Sequence, residues 1–183
     1  LKSKGKINLV DEHKNIKRQN IILNEVENLK DLGFEKIILS GYSAGGWSSL
    51  FLQSRYPEKI IGTIAFNPAF AGPKKEWQKK YPEWGAFRED SVNKFNKADT
   101  INSIVFAHKD DIFEDPKTLS FLKNFKDLDL IDYSELKPTR CTWADTNEKM
   151  KPDKGHNIPQ SKCFTKYVED KNYLTSFLEN ILK

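Results

Sequence analysis

The run Ile37-Ile38-Leu39-Ser40-Gly41-Tyr42-Ser43-Ala44-Gly45-Gly46 constrains this 183-residue chain more than any other stretch. Residues 37–39 are apolar and β-branched-rich, the pattern of a short buried strand. Trp47, Leu50, Phe51 and Ser54 then follow at helical spacing, and Pro57 stops the run. Strand and helix must therefore meet in a sharp turn around Ser43. Gly41 and Gly45 lack Cβ atoms, which lets the two elements close on that turn. The Ala44 N–H and the helix N-terminus point at the place where a negative oxygen would form.

These residues fit G-x-S-x-G. Residues 37–46 resemble the nucleophile elbow of the α/β-hydrolase superfamily, closest to its dienelactone-hydrolase-like and esterase branches. The resemblance covers roughly residue 37 to the C-terminus. It implies an α/β fold, a three-layer α/β/α sandwich with a mostly parallel sheet. It also implies the chain order nucleophile, acid, histidine, which Ser43, Asp110 or Asp111, and His156 satisfy. The family's acid follows a strand in a Gly-x-x-Asp frame, and here the strand is Ile-Asn-Ser-Ile-Val-Phe-Ala at 101–107. With Ala107 in the glycine's place the acid is Asp110, the preferred reading. With His108 there it is Asp111, the alternative. Capping of the next helix by both aspartates is the competing use.

Of the three histidines, His13 lies in a charged segment and His108 adjoins the acid candidates. His156 sits in Lys-Gly-His-Asn-Ile-Pro, near the end of a long polar segment at 134–158. A Gly-His pair in the loop after the last strand is where the family keeps its base. The resemblance then assigns Ser43 as nucleophile, His156 as base, Asp110 as the group that orients it, and the Ala44 N–H as one oxyanion-hole donor. The implied reaction is hydrolysis of a small carboxylic ester or lactone through an acyl-enzyme, with no metal and no cofactor. Acyl transfer and peptide cleavage use the same machinery. A non-catalytic binding protein of the same fold is the rival reading. A metal site built from Asp110, Asp111, Glu114 and Asp115 is a weaker one.

Only 36 residues precede Ile37. They offer a short strand at 6–10, a polar turn at 11–15 and an amphipathic helix at 16–32 that Gly33 ends. The family places several strands there, and a loop bearing a second oxyanion-hole N–H. The expectation is an N-terminally reduced or truncated member, and a chain that does not begin with Met agrees with it. Further strands are expected at 60–66 and 128–133, and helices at 45–56, 91–97, 116–125 and 164–182. The length suits one domain over 1–183. Residues 71–98 break the strand–helix rhythm and read as a lid or cap insertion. Tyr42, Asn67, Phe70, Trp77 and Trp84 are candidate pocket residues, against ordinary packing and turn chemistry as the alternative.

Composition narrows the partners. The net charge is +4, but Lys is interleaved with Asp and Glu along the chain, and Arg occurs only at 18, 55, 88 and 140. A nucleic-acid surface would cluster its basic residues, so none is expected. No apolar run approaches the length of a transmembrane helix. Cys141 and Cys163 flank His156, and their spacing matches no metal pattern. They form either a disulfide that closes the histidine loop or two buried thiols. The disulfide would place the protein outside the cytoplasm, periplasmic or secreted. Two thiols would leave it cytoplasmic.

Overall fold

The computed structural model describes residues 9–183, with side chains from residue 15 onward. Four parallel strands form one sheet in the order β1-β2-β3-β4: β1 Ile38–Tyr42, β2 Gly62–Phe66, β3 Ser103–Ala107 and β4 Leu128–Asp132. The register runs Ile38 beside Gly62, Thr63 beside Ser103, and Ser103 beside Leu128. Helix α1 spans Leu9–Asp31 and α2 Ala44–Arg55. Helices α3 (Lys74–Lys79) and α4 (Pro82–Phe95) fill the stretch between β2 and β3. Helices α5 (Lys162–Asp170) and α6 (Tyr173–Ile181) close the chain.

Strand alternation sorts the core into two layers of contact. On β3, Val105 and Ala107 face a cluster with Trp47 and Leu50 of α2 and Phe95 of α4. Ile104 and Phe106 face the opposite side, with Phe164 and Val168 of α5 and Phe177 of α6. All five residues of β3 are buried, as a central parallel strand requires. A third cluster packs Val26 of α1 against Leu52 of α2, with Ile37 and Ile60. A parallel sheet between two helical layers is the expected three-layer α/β/α arrangement.

Several expectations shift, each for a local reason. The helix at 16–32 begins earlier, at Leu9, so the turn expected at 11–15 is helical. Of the strand expected at 6–10, residues 6–8 lie outside the described residues, and Leu9 and Val10 open α1. The elbow strand β1 is half-buried rather than buried, because among the described residues only β2 pairs with it. The helix expected at 116–125 shrinks to a 3-10 turn at Ser120–Asn124. There the Arg88 guanidinium takes the Thr118 carbonyl at 2.6 Å, and the Leu122 N–H turns to Leu119 instead. The short helix expected at 91–97 is the last part of the longer α4. The closing helix divides at Asn172, whose left-handed φ of 53° ends one helical path before α6 starts.

Candidate active site

Ser43 stands between the end of β1 and the start of α2, at φ 55° and ψ −125°. That conformation is costly for a residue with a Cβ and persists only where its surroundings fix it. Here the Ser43 N–H donates to the Phe66 carbonyl at 3.0 Å, and its own carbonyl accepts from Trp47 and Ala69. The close approach falls on Gly41 and Gly46. A Cβ on Gly41 would lie 2.4 Å from the Gly45 carbonyl carbon, and one on Gly46 would lie 2.9 Å from the Gly41 oxygen. A Cβ on Gly45 would meet nothing within 4 Å. Gly46, one residue past the motif, therefore does the work expected of Gly45. The Trp47 N–H makes the first bond of α2, and no side chain caps the helix. The Ala44 N–H precedes that bond, among the N–H groups a helix start leaves without an intrahelical acceptor.

His156 reaches the serine from a 3-10 turn at Gly155–Gln160. Its Nε2 lies 3.0 Å from Ser43 Oγ, and its Nδ1 lies 2.7 Å from Asp111 Oδ2. A carboxylate can only accept, so Nδ1–H donates to Asp111 and Nε2 accepts from the Ser43 hydroxyl. Asp111 is 1% exposed and His156 8%. The second Asp111 oxygen accepts from the Phe113 N–H at 2.8 Å.

The partner of His156 is thus Asp111, and the preferred Asp110 is displaced by the local turn. The Asp111 N–H returns to the His108 carbonyl at 3.0 Å, which closes a turn over 108–111. His108 is fully buried and braces it: Nε2–H donates to the Leu136 carbonyl, and Nδ1 accepts from the Asp110 N–H. That turn aims Asp110 outward, with a side chain 48% exposed, and Asp111 inward. Gly155 crosses the same turn so closely that a Cβ would lie 2.4 Å from the Asp110 oxygen. The Gly of Gly-His therefore serves the meeting of the two loops.

The residues of the weaker metal reading do not converge. Glu114 forms a bidentate pair with Arg88, and Asp115 pairs with Lys74. Among the described residues no cluster of three or more His, Cys, Asp or Glu could hold a metal ion. Burial raises the Glu114 carboxyl above its usual value despite Arg88. Both pairs fasten the 71–98 segment to the 108–115 loop, and the Lys74 N–H to Ile112 carbonyl bond adds to them.

The candidate pocket residues separate. Tyr42 is half-buried, its ring centroid 5.0 Å from that of His156, and it walls a cavity of about 370 Å³ with Phe66, Phe164, Val168 and Leu174. Burial, with the nearby Asp111 charge, pushes the Tyr42 hydroxyl up to about 12. Phe70 packs edge-on against Trp47. Trp84 stacks on Tyr81, and Trp77 lies against the Arg88 guanidinium. Asn67 is fully buried and faces the His156 loop. Two contributors escaped the sequence reading. Phe113 brings its ring 4.5 Å from that of His156, and Tyr133 bonds Asn67. Neither had a signal beyond ordinary core or loop composition.

Cys141 and Cys163 form a disulfide around the segment that carries His156. No helix among the described residues is long and apolar enough to cross a membrane.

The chain matches no family model and no curated protein. Among solved structures it is similar to the monoacylglycerol lipase of Paleococcus ferrophilus, at 16% identity and a TM-score of 0.47, over 65% of each chain. It is similar to a serine hydrolase from Cycloclasticus zankles at 13% identity and a TM-score of 0.39, over 60% of this chain and 59% of that one. A thermophilic esterase is similar at 16% identity and a TM-score of 0.49, over 89% of this chain and 73% of that one. The likeness is one of fold. This chain spans less than two thirds of the length of the lipase and of the Cycloclasticus hydrolase.

Proposed function

We propose that this chain carries the catalytic residues of a serine hydrolase that cleaves a small carboxylic ester or lactone. The carrying observation is the unbroken line Ser43 Oγ, His156, Asp111, with contacts of 3.0 and 2.7 Å. Ser43 attacks the carbonyl carbon, and its proton passes to His156 Nε2. Asp111 holds the ring in the tautomer that leaves Nε2 free and stabilises the imidazolium that follows. The Ala44 N–H donates to the oxyanion. Collapse expels the alcohol, which takes the proton from His156. Water then repeats the sequence on the acyl-serine, with His156 as base again. No step calls for a metal or cofactor. The 71–98 insertion acts as a cap pinned to the acid loop within one domain, and the disulfide suits an extracytoplasmic compartment.

Labelling with a fluorophosphonate tests the reading. Wild type is expected to react, and Ser43→Ala and His156→Ala are expected not to. A folded wild-type chain that stays unlabelled would leave a non-catalytic binding protein of the same fold. Faster labelling of a chain extended upstream of Leu1 would place the second oxyanion donor in that extension. Turnover of p-nitrophenyl esters and lactones, compared with amides, then sorts esterase from peptidase.

A further inference from the structure

Asn67 follows β2 directly, fully buried, with a left-handed φ of 41°. A side chain with no exposed surface does not line a substrate pocket. Its amide is instead spent on the loop of the base. Nδ2 donates to the His156 carbonyl at 2.8 Å and to the Gly155 carbonyl at 3.3 Å. Oδ1 accepts from the Tyr133 hydroxyl at 2.7 Å. That last bond fixes which way the amide faces. With Oδ1 against a hydroxyl donor, the NH₂ group must meet the two carbonyls. Tyr133 is itself fully buried, and burial holds its hydroxyl in the protonated, donating form.

The His156 carbonyl takes a second donor. The Tyr42 hydroxyl lies 3.2 Å away, and Tyr42 in turn accepts from Asn157 Nδ2 at 3.1 Å. The two donors come from the carboxyl ends of β1 and β2. Ser43 follows β1 directly and hydrogen-bonds Phe66, the last residue of β2. The nucleophile and the backbone of the base are thus referenced to the same two strand ends.

We infer that Asn67, its amide oriented by Tyr133, is a positioning residue that sets the reach of His156 Nε2 to Ser43 Oγ. The inference rests on the triad reading. Asn67 never touches substrate. It acts by holding a carbonyl, so its loss lets the imidazole drift while the fold stays. A displacement near 1 Å at a reacting group can cost on the order of 10²-fold in rate.

Two variants test this. Asn67→Gly removes both Asn67 amide bonds to the 155–156 carbonyls, leaves the Tyr42 bond, and suits the left-handed backbone, so the fold is spared that strain. Tyr133→Phe removes only the bond that orients the amide. The readouts are the melting temperature, the fluorophosphonate labelling rate, and kcat and KM on p-nitrophenyl acetate. A fourth is the low-field NMR signal of the His156 Nδ1 proton shared with Asp111. Asn67→Gly is expected to melt cooperatively, with labelling and kcat down on the order of 10²-fold and KM within about twofold. Tyr133→Phe is expected to lose less, in the same direction. In both, the Nδ1 proton signal broadens. Wild-type labelling and an unchanged signal in a folded Asn67→Gly chain would overturn the proposal. If Asn67→Gly does not fold, Tyr133→Phe decides by the same criteria. If wild type never labels, the triad reading fails on its own, and the Nδ1 signal still decides whether Asn67 places the ring.

Discussion

At the scale of single residues, adjacent positions carry opposite roles. Asp110 and Asp111 differ by one step along a turn, yet one side chain is 48% exposed and the other meets His156 at 2.7 Å. Asp111→Asn keeps the shape but removes the acceptor that selects the tautomer. It is expected to lower the labelling rate by on the order of 10³–10⁴-fold, while Asp110→Asn stays within about twofold. A reversed order would return the acid role to Asp110. The glycines divide in the same way. Gly45→Ala puts its methyl group in open space inside a helix and is expected to stabilise by about 0.5–1 kcal/mol. Gly46→Ala drives a Cβ to 2.9 Å from the Gly41 oxygen and is expected to lower the melting temperature and the labelling rate together. Steady labelling in a stable Gly46→Ala chain would show that the elbow tolerates a wider turn.

At the scale of elements, the loops decide more than the strands. The sequence pattern reaches all four strands and the chain order of serine, acid and histidine. Runs such as residues 104–107 are apolar throughout and bounded by polar residues, a pattern local enough to read. The register of the acid was not local. It depends on His108, whose ring bonds Leu136 and the Asp110 N–H across a loop, and no spacing rule contains that contact. The short 3-10 turn at Ser120–Asn124 depends likewise on Arg88, 30 residues from the Thr118 carbonyl it takes. The loop of His156 is tied by the Cys141–Cys163 disulfide, whose partners are 22 positions apart. Replacing both cysteines by serine is expected to cost about 3 kcal/mol in stability on the chain-entropy scale, read by denaturant unfolding. Labelling should fall further than the unfolded fraction explains, because the freed segment carries the base. Labelling that tracks only the folded fraction would confine the disulfide to stability.

At the scale of the whole molecule, the 71–98 segment is joined to the 108–115 loop through two carboxylates whose pH responses oppose each other. Burial acts to raise Asp115, but hydrogen bonds from Lys74 and Thr118 outweigh it and hold the carboxyl below 3.8. A lowered value in the folded state means stabilisation that is full above about pH 4 and lost as the pH falls through the folded value. Glu114 is the reverse. Burial raises it above 4.5 in spite of Arg88. Its ionisation in the folded state is therefore a cost, absent in acid and growing as the pH rises from about 4.5 through the folded value. Asp115→Asn should flatten the acid limb of stability and leave the limb above pH 5 unchanged. Glu114→Gln should leave the acid limb and remove the decline above pH 4.5. Arg88→Met strips the buried Glu114 of its partner and is expected to cost about 3–5 kcal/mol near neutrality. That loss should shrink as the pH drops and Glu114 takes up a proton. Urea unfolding of the four proteins between pH 3 and 8 checks all three slopes. A loss in Arg88→Met that does not vary with pH would mean that Arg88 acts through its packing on Trp47 and Trp77 and not through its charge.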